Sequence, residues 1–189
     1  MRGKPLAIMS IHTQKAFTLV ELVVGMVVIS IAFVLLSTML FPQAERSADT
    51  LHRVRSAELA HSILNEIWGK RYDQNTNANG GVPACGAAEN TLLGLPKGED
   101  CSVSLGPDTI NGVRETRNDY NDVDDYNGLN INSPMLNTSG TYAERYKNYL
   151  LSVSVTYNNP ASLNTKLVTI NVTTPNGEVI TYNAIRSNY

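Results

Sequence analysis

From Leu22 to Phe41 the chain runs for twenty residues without a charge, and a glutamate, Glu21, stands at the start of that run. About 20 apolar residues in helical form cross the hydrocarbon of a bilayer. A chain of 189 residues has room beside such a segment for a single modest folded domain. A greasy rod of this length does not fit inside so small a core, so it must lie in lipid or among like helices. Glu21 adds a second constraint. An ionised side chain beside hydrocarbon costs about 2.5–3.5 kcal/mol on insertion scales and is rarely placed there without a partner.

Helical spacing resumes beyond Pro42, which interrupts the apolar run. Leu51, Val54, Ala57, Leu59, Ile63, Leu64, Ile67 and Trp68 form an apolar side, and Glu45, Arg46, Asp49, Arg53, Arg55 and Glu66 supply a mixed-sign surface. Gly69 is a natural stop. The combined helix from Phe17 to Ile67 would extend about 75 Å at 1.5 Å per residue. Its first half then belongs to lipid or a helix bundle, and its second half packs under the folded part.

Charge divides along the same line. Residues 1–16 carry Arg2, Lys4 and Lys15 and no acid, whereas the remainder holds 12 basic against 17 acidic residues, a formal charge of −5. By the positive-inside rule this fits a basic leader kept in the cytoplasm and a body moved outward. An acidic body argues against nucleic acid as a partner.

The residues around Glu21 read Lys15-Ala16-Phe17-Thr18-Leu19-Val20-Glu21. This stretch resembles the processing site and first helix of a type IV prepilin. In that family a small residue precedes the cut, an aromatic or Met follows it, and Glu is fifth in the mature chain. Ala16, Phe17 and Glu21 match these roles in order, with Ala16 where Gly is commoner. The resemblance implies cleavage by a prepilin peptidase between Ala16 and Phe17, N-methylation of Phe17, and pairing of Glu21 with the Phe17 amine of an adjacent subunit. Two other readings account for less. A secretory signal is cut after its apolar core at a small-x-small site, for which Pro42-Gln43-Ala44 is a poor match. An uncleaved anchor helix does not explain a Glu four residues after an Ala-Phe pair.

Cys85 and Cys101 are the only cysteines and enclose fifteen polar, Gly- and Asn-rich residues, a spacing that suits a disulfide in an oxidising periplasm. Zinc would need further ligands, and His12, His52 and His61 lie in the leader and the first helix. From 70 to 147 short apolar islands, Leu92 to Leu95 and Val103 to Leu105, predict short strands and turns. The end of the chain is plainer. Tyr149 to Tyr157, Lys166 to Thr173 and Glu178 to Ile185 are β-branched and aromatic runs of period two. Leu151, Val153, Val155 and Tyr157 share one face, Val168, Ile170 and Val172 another, and Ile180, Tyr182 and Ala184 a third; Pro175-Asn176-Gly177 turns the second hairpin. The predicted architecture is α+β, the type IV pilin fold: a leader over 1–16, an assembly or transmembrane helix over 17–41, and a periplasmic headgroup over 42–189 with helix 43–68, loop region 70–147 and antiparallel sheet 149–186.

Asp119, Asp122, Asp124 and Asp125 gather oxygens as a Ca²⁺ site would. The EF-hand pattern fails, because counting back from Gly128 puts Val123 where the first ligand belongs. The alternative is a surface loop of turn-forming Asp and Asn anchored by Tyr120, Val123 and Tyr126. The aspartate string 122–126, together with Leu59-Ala60 to Trp68, Lys70 to Asp73 and the terminal Arg186-Ser187-Asn188-Tyr189, resembles minor pilins of the mannose-sensitive haemagglutinin (MSHA) pilus, the MshD type. That resemblance implies a subunit that enters or primes a pilus used in adhesion, with other pilins, the peptidase, the inner-membrane assembly platform and the membrane as partners. A minor pseudopilin of a type II secretion system shares the same leader, helix and sheet. A membrane-anchored binding module is a third reading, with Tyr120, Tyr126, Tyr142 and Tyr146 as contact area. No catalytic constellation stands out: His52 and His61 share a helix with no nucleophile beside them.

Overall fold

The computed structural model describes residues 17–79 and 81–188. Two compact units divide after Ser47, and one helix, α1 (Leu19–Trp68), contributes to both. The backbone stays helical through positions 42–44, so the helical stretch expected over 43–68 continues the apolar one as a single helix, as the combined length implied. Gly69 marks its end as anticipated. There the Gly69 and Lys70 amides bond the Glu66 and Ile67 carbonyls three residues back, the tightening typical of a last turn.

In the unit from Ala48 onward α1 buries Ser56, Leu59, Ala60, Ile63, Leu64 and Ile67, a stripe with three- and four-residue spacing. The predicted apolar side was too broad. Leu51 and Val54 are more than 60% exposed and Trp68 is 42% exposed. At 100° per residue Val54 lies about 160° around the helix from Ser56, and it therefore faces away from the sheet.

The sheet is an antiparallel meander, β3-β4-β5, formed by Leu150–Tyr157, Thr165–Thr173 and Val179–Ser187. Strands β1 (Thr109–Ile110) and β2 (Val113–Arg114) form a small separate hairpin. Burial alternates along β3 and β4 as a sheet with one covered face requires. Leu151 faces Val172, Val153 faces Ile170, and Val155 faces Val168 across the ladder. These six join the α1 stripe in one core with Val123, Tyr126, Leu129, Tyr142, Tyr146 and Tyr149. The second hairpin turns where predicted: the Thr174 amide bonds the Glu178 carbonyl, and Gly177 takes φ 86°, a conformation that favours glycine.

The region from 70 to 147 holds its short elements at places other than those expected. Leu92, Leu93 and Val103 are 96%, 70% and 90% exposed in turns and bends, because these islands are too short to alternate; the first makes a single bridge, Asn90 to Leu95. The ordered pieces are the β1-β2 hairpin, a 3₁₀ turn at Asp124–Tyr126 and α2 at Tyr142–Arg145. A Thr141-Glu144 capping box starts α2.

Candidate functional site

The N-terminal unit presents a helix start. Thr18 precedes α1; its hydroxyl oxygen accepts from the Glu21 amide at 3.3 Å and its carbonyl from the Leu22 amide at 3.2 Å. Thr18 is thus the N-cap and Glu21 the third helical residue, the spacing of a capping box. A carboxylate in the first turn also complements the positive end of the helix dipole. Phe17 is 78% exposed. Beyond it Leu22, Val27, Phe33, Leu36 and Phe41 are exposed on every side of the helix. The hydroxyls of Ser30, Ser37 and Thr38 donate back to the carbonyls of Met26, Phe33 and Leu35 at 2.8 Å, so they remain satisfied in an apolar medium. Among the described residues this is one helix long and apolar enough to cross a membrane.

The second unit is organised around buried charge. Lys166 is fully buried, and its Nζ donates to the Tyr72 carbonyl at 2.8 Å, to Asp73 Oδ2 at 3.0 Å and to Asp124 Oδ1. The Tyr72 and Tyr157 rings lie 4.5 and 5.6 Å from the ammonium. Three acceptors use all three donors of a lysine. Burial raises the Asp73 carboxyl, but Lys166 and the amides of Asn75 and Ser102 hold it below its usual value. Asp124 has fewer donors, and burial leaves it raised despite Lys166. Nearby, Arg117 is buried against Glu66, donates to the Tyr142 hydroxyl at 3.2 Å and lies over the rings of Tyr120 and Tyr126.

A second acidic group lies beside this pair. Asp122 Oδ1 accepts from the amides of Asp124 and Asp125 at 2.9 and 3.3 Å. Asp125 Oδ2 accepts from those of Asn121 and Asp122 at 2.7 and 3.0 Å. Asp122, Asp125 and Asp108 each bring a carboxylate oxygen within 4.8 Å of the others. Glu115 adjoins them, accepting from the Asp108 amide at 3.3 Å and from Asn121 Nδ2 at 2.6 Å. Burial, then the charges of Asp124 and Asp125, pushes the Asp122 carboxyl far up. Burial and Asp125 raise Glu115 to about 7, and burial with Asp125, Asp124 and Asp73 raises Asp108.

The predicted site residues fall into three groups. Ala16 lies outside the described residues, as do the rest of the leader and Tyr189; Phe17 and Glu21 stand at the start of α1. Cys85 and Cys101 are joined as a disulfide, and Asn188 Nδ2 donates to the Cys85 carbonyl at 2.8 Å. Of the four aspartates, Asp122 and Asp125 come together with Asp108. Asp124 turns to Lys166, and Asp119 is exposed and accepts from the Thr116 hydroxyl and amide at 2.6 and 3.0 Å. Asp108, Asp73 and Lys166 were not anticipated. For Lys166 the signal was present: it shares the phase of Val168, Ile170 and Val172, and a lysine on a buried face needs anionic partners. Asp108 and Asp73 are distant in sequence from the aspartate string and carry no local sign of their place. Tyr126, Tyr142 and Tyr146 are at most 6% exposed, so they serve the core and are not the contact surface a binding-module reading needs. Val123 and Tyr126 do anchor the aspartate turn, with Tyr120 packed against them. His52 Nδ1 meets the Tyr149 hydroxyl at 3.0 Å and His61 rests by the Tyr182 ring.

Residues 6–37 match the family described as the prokaryotic N-terminal methylation motif. Chains with this motif are structural subunits processed by a prepilin peptidase, and the match supports a type IV pilin- or prepilin-like protein. The α+β architecture, an apolar N-terminal helix followed by an antiparallel three-stranded sheet, is that of the pilin fold. No curated protein and no solved structure matches this chain.

Proposed function

We propose that the chain is a minor type IV pilin of the MSHA pilus, MshD type. It is cut between Ala16 and Phe17, methylated at Phe17, anchored once in the inner membrane with its headgroup in the periplasm, and then taken into a pilus that serves adhesion. One observation carries this reading. The methylation motif over 6–37 runs into a helix whose first turn holds Glu21 and whose apolar side chains are exposed all round. In lipid those side chains are satisfied. On leaving lipid they need equivalent apolar surface, which the helices of neighbouring pilins offer. Glu21 then meets the Phe17 amine of the next subunit, a charge pair removed from bulk water. The choice of the MSHA branch rests on the resemblance of the aspartate string and the C-terminal residues, and the burial of Asp122, Asp124, Asp125 and Tyr126 supports treating that string as part of the headgroup's framework.

Mass spectrometry of the mature N-terminus, from membranes and from sheared filaments, tests the assignment. Methylated Phe17 is expected in both. Glu21→Ala is expected to be exported and processed yet absent from filaments, and normal incorporation of that variant would remove the assigned role of the carboxylate. Deleting the gene and scoring MSHA piliation beside type II secretion separates the pilin from the pseudopilin reading: loss of piliation with secretion intact supports the former, and the reverse overturns it.

A further inference from the structure

We propose that Asp108, Asp122 and Asp125, with Glu115 adjoining, form a Ca²⁺ site that ties the β1-β2 hairpin region to the 3₁₀ turn of the headgroup. The site is independent of the pilin reading and differs from the set that the sequence pattern picks out.

Asp122 is 0% exposed and Asp125 is 1% exposed. Backbone amides satisfy one oxygen of each, while Asp122 Oδ2, Asp125 Oδ1 and Asp108 Oδ2 are buried without a hydrogen-bond partner. Buried carboxylate oxygens are costly unless a donor or a cation meets them. Lys166, the cation of this region, has already committed its three donors to Tyr72, Asp73 and Asp124. Arg71 is likewise engaged, by Gln74, Thr76 and Asn121. Among the described residues no lysine, arginine, amide or hydroxyl group bonds these three oxygens, and the groups beside them, Glu115 at Asp125 and Asp124 at Asp122, are themselves carboxyls.

The spacing of the three carboxylates suits a metal. Oxygens sharing one Ca²⁺ lie about 2.3–2.6 Å from it and so up to about 5 Å from one another, which accommodates carboxylates within 4.8 Å. The donor set is all oxygen, the preference of Ca²⁺ and Mg²⁺ and not of zinc or copper. The other grouping of metal-ligating side chains, Asp73 with Cys85 and Cys101, offers no thiolate because the two sulfurs are bonded to each other. The backbone amides orient Asp122 and Asp125 as outer-shell partners orient metal ligands.

Calorimetric titration of the chelator-treated full chain in detergent micelles with CaCl₂, with thermal melts alongside, tests the site. One Ca²⁺ per chain and a raised melting temperature are expected. Asp125→Asn and Asp122→Asn should weaken binding about tenfold or more, since affinity follows the ligand charge count. These variants should also melt higher than wild type in chelator, because each replaces an unpartnered buried oxygen beside other carboxyls with an amide that can donate to them. Asp119→Asn should bind as wild type does. A flat titration of folded wild-type protein overturns the proposal, and so does wild-type Ca²⁺ affinity in Asp125→Asn.

Discussion

Replacing Lys166 by Met would remove the ammonium and keep most of the aliphatic stem, leaving Asp73 and Asp124 to face each other in the interior. Both carboxylates are buried, and Lys166 itself is 0% exposed, so water screens none of the loss. Asp73 retains the Asn75 amide and the Ser102 amide and hydroxyl at 3.0–3.1 Å, whereas Asp124 loses its ion-pair partner. Breaking a buried pair by removing one member costs about 3–5 kcal/mol. Against a total stability of about 5–15 kcal/mol for a domain, that is a large share. At about 2–4 °C per kcal/mol for a chain of this size, the headgroup should melt roughly 6–20 °C lower. The assay is circular dichroism melting of the full chain in detergent at pH 7. Asp124→Asn added to Lys166→Met should recover part of the loss, because it removes the stranded charge. A Lys166→Met protein melting within about 2 °C of wild type, below the shift expected for 1 kcal/mol, or no recovery in the double variant, would refute the view that this charge triad holds the headgroup together.

Three further outcomes are expected. Changing both Cys85 and Cys101 to Ser should cost about 3 kcal/mol in denaturant unfolding, the value for closing a loop of this length, and reductant should lower wild type to the same level while leaving the variant unchanged. Gly98→Ala should destabilise the same loop by about 1–3 kcal/mol, because a Cβ there would lie 2.0 Å from the Ala84 carbonyl oxygen; limited proteolysis between Cys85 and Cys101 should quicken. In chelator, the melting temperature should fall as pH rises from about 5 to 8. Glu115, Asp108, Asp122 and Asp124 have folded-state values raised above the usual carboxylate range, so the folded state holds more protons than the unfolded one, and stability declines as pH climbs through those values. Asp73, lowered by its donors, acts the other way only near and below pH 4. A melting temperature that stays level or rises across pH 5–8 would contradict these shifts.

By itself the sequence determined the long elements whose pattern repeats along the chain. The long apolar helix follows from an uncharged run, and the three strands and the Gly177 turn from period-two alternation and turn chemistry, because each of these is a local preference read at short spacing. The disulfide was legible for a related reason, since two cysteines in a chain leave one intramolecular pairing. Tertiary structure alone decided which residues of α1 face the sheet, because that depends on the angle at which the helix meets it, and so Leu51 and Val54 lie outside the core. It also sorted the aspartates. Asp124 goes to Lys166 and Asp119 to solvent, while Asp108 joins Asp122 and Asp125, since burial and charge act through space and set partners that no spacing along the chain encodes.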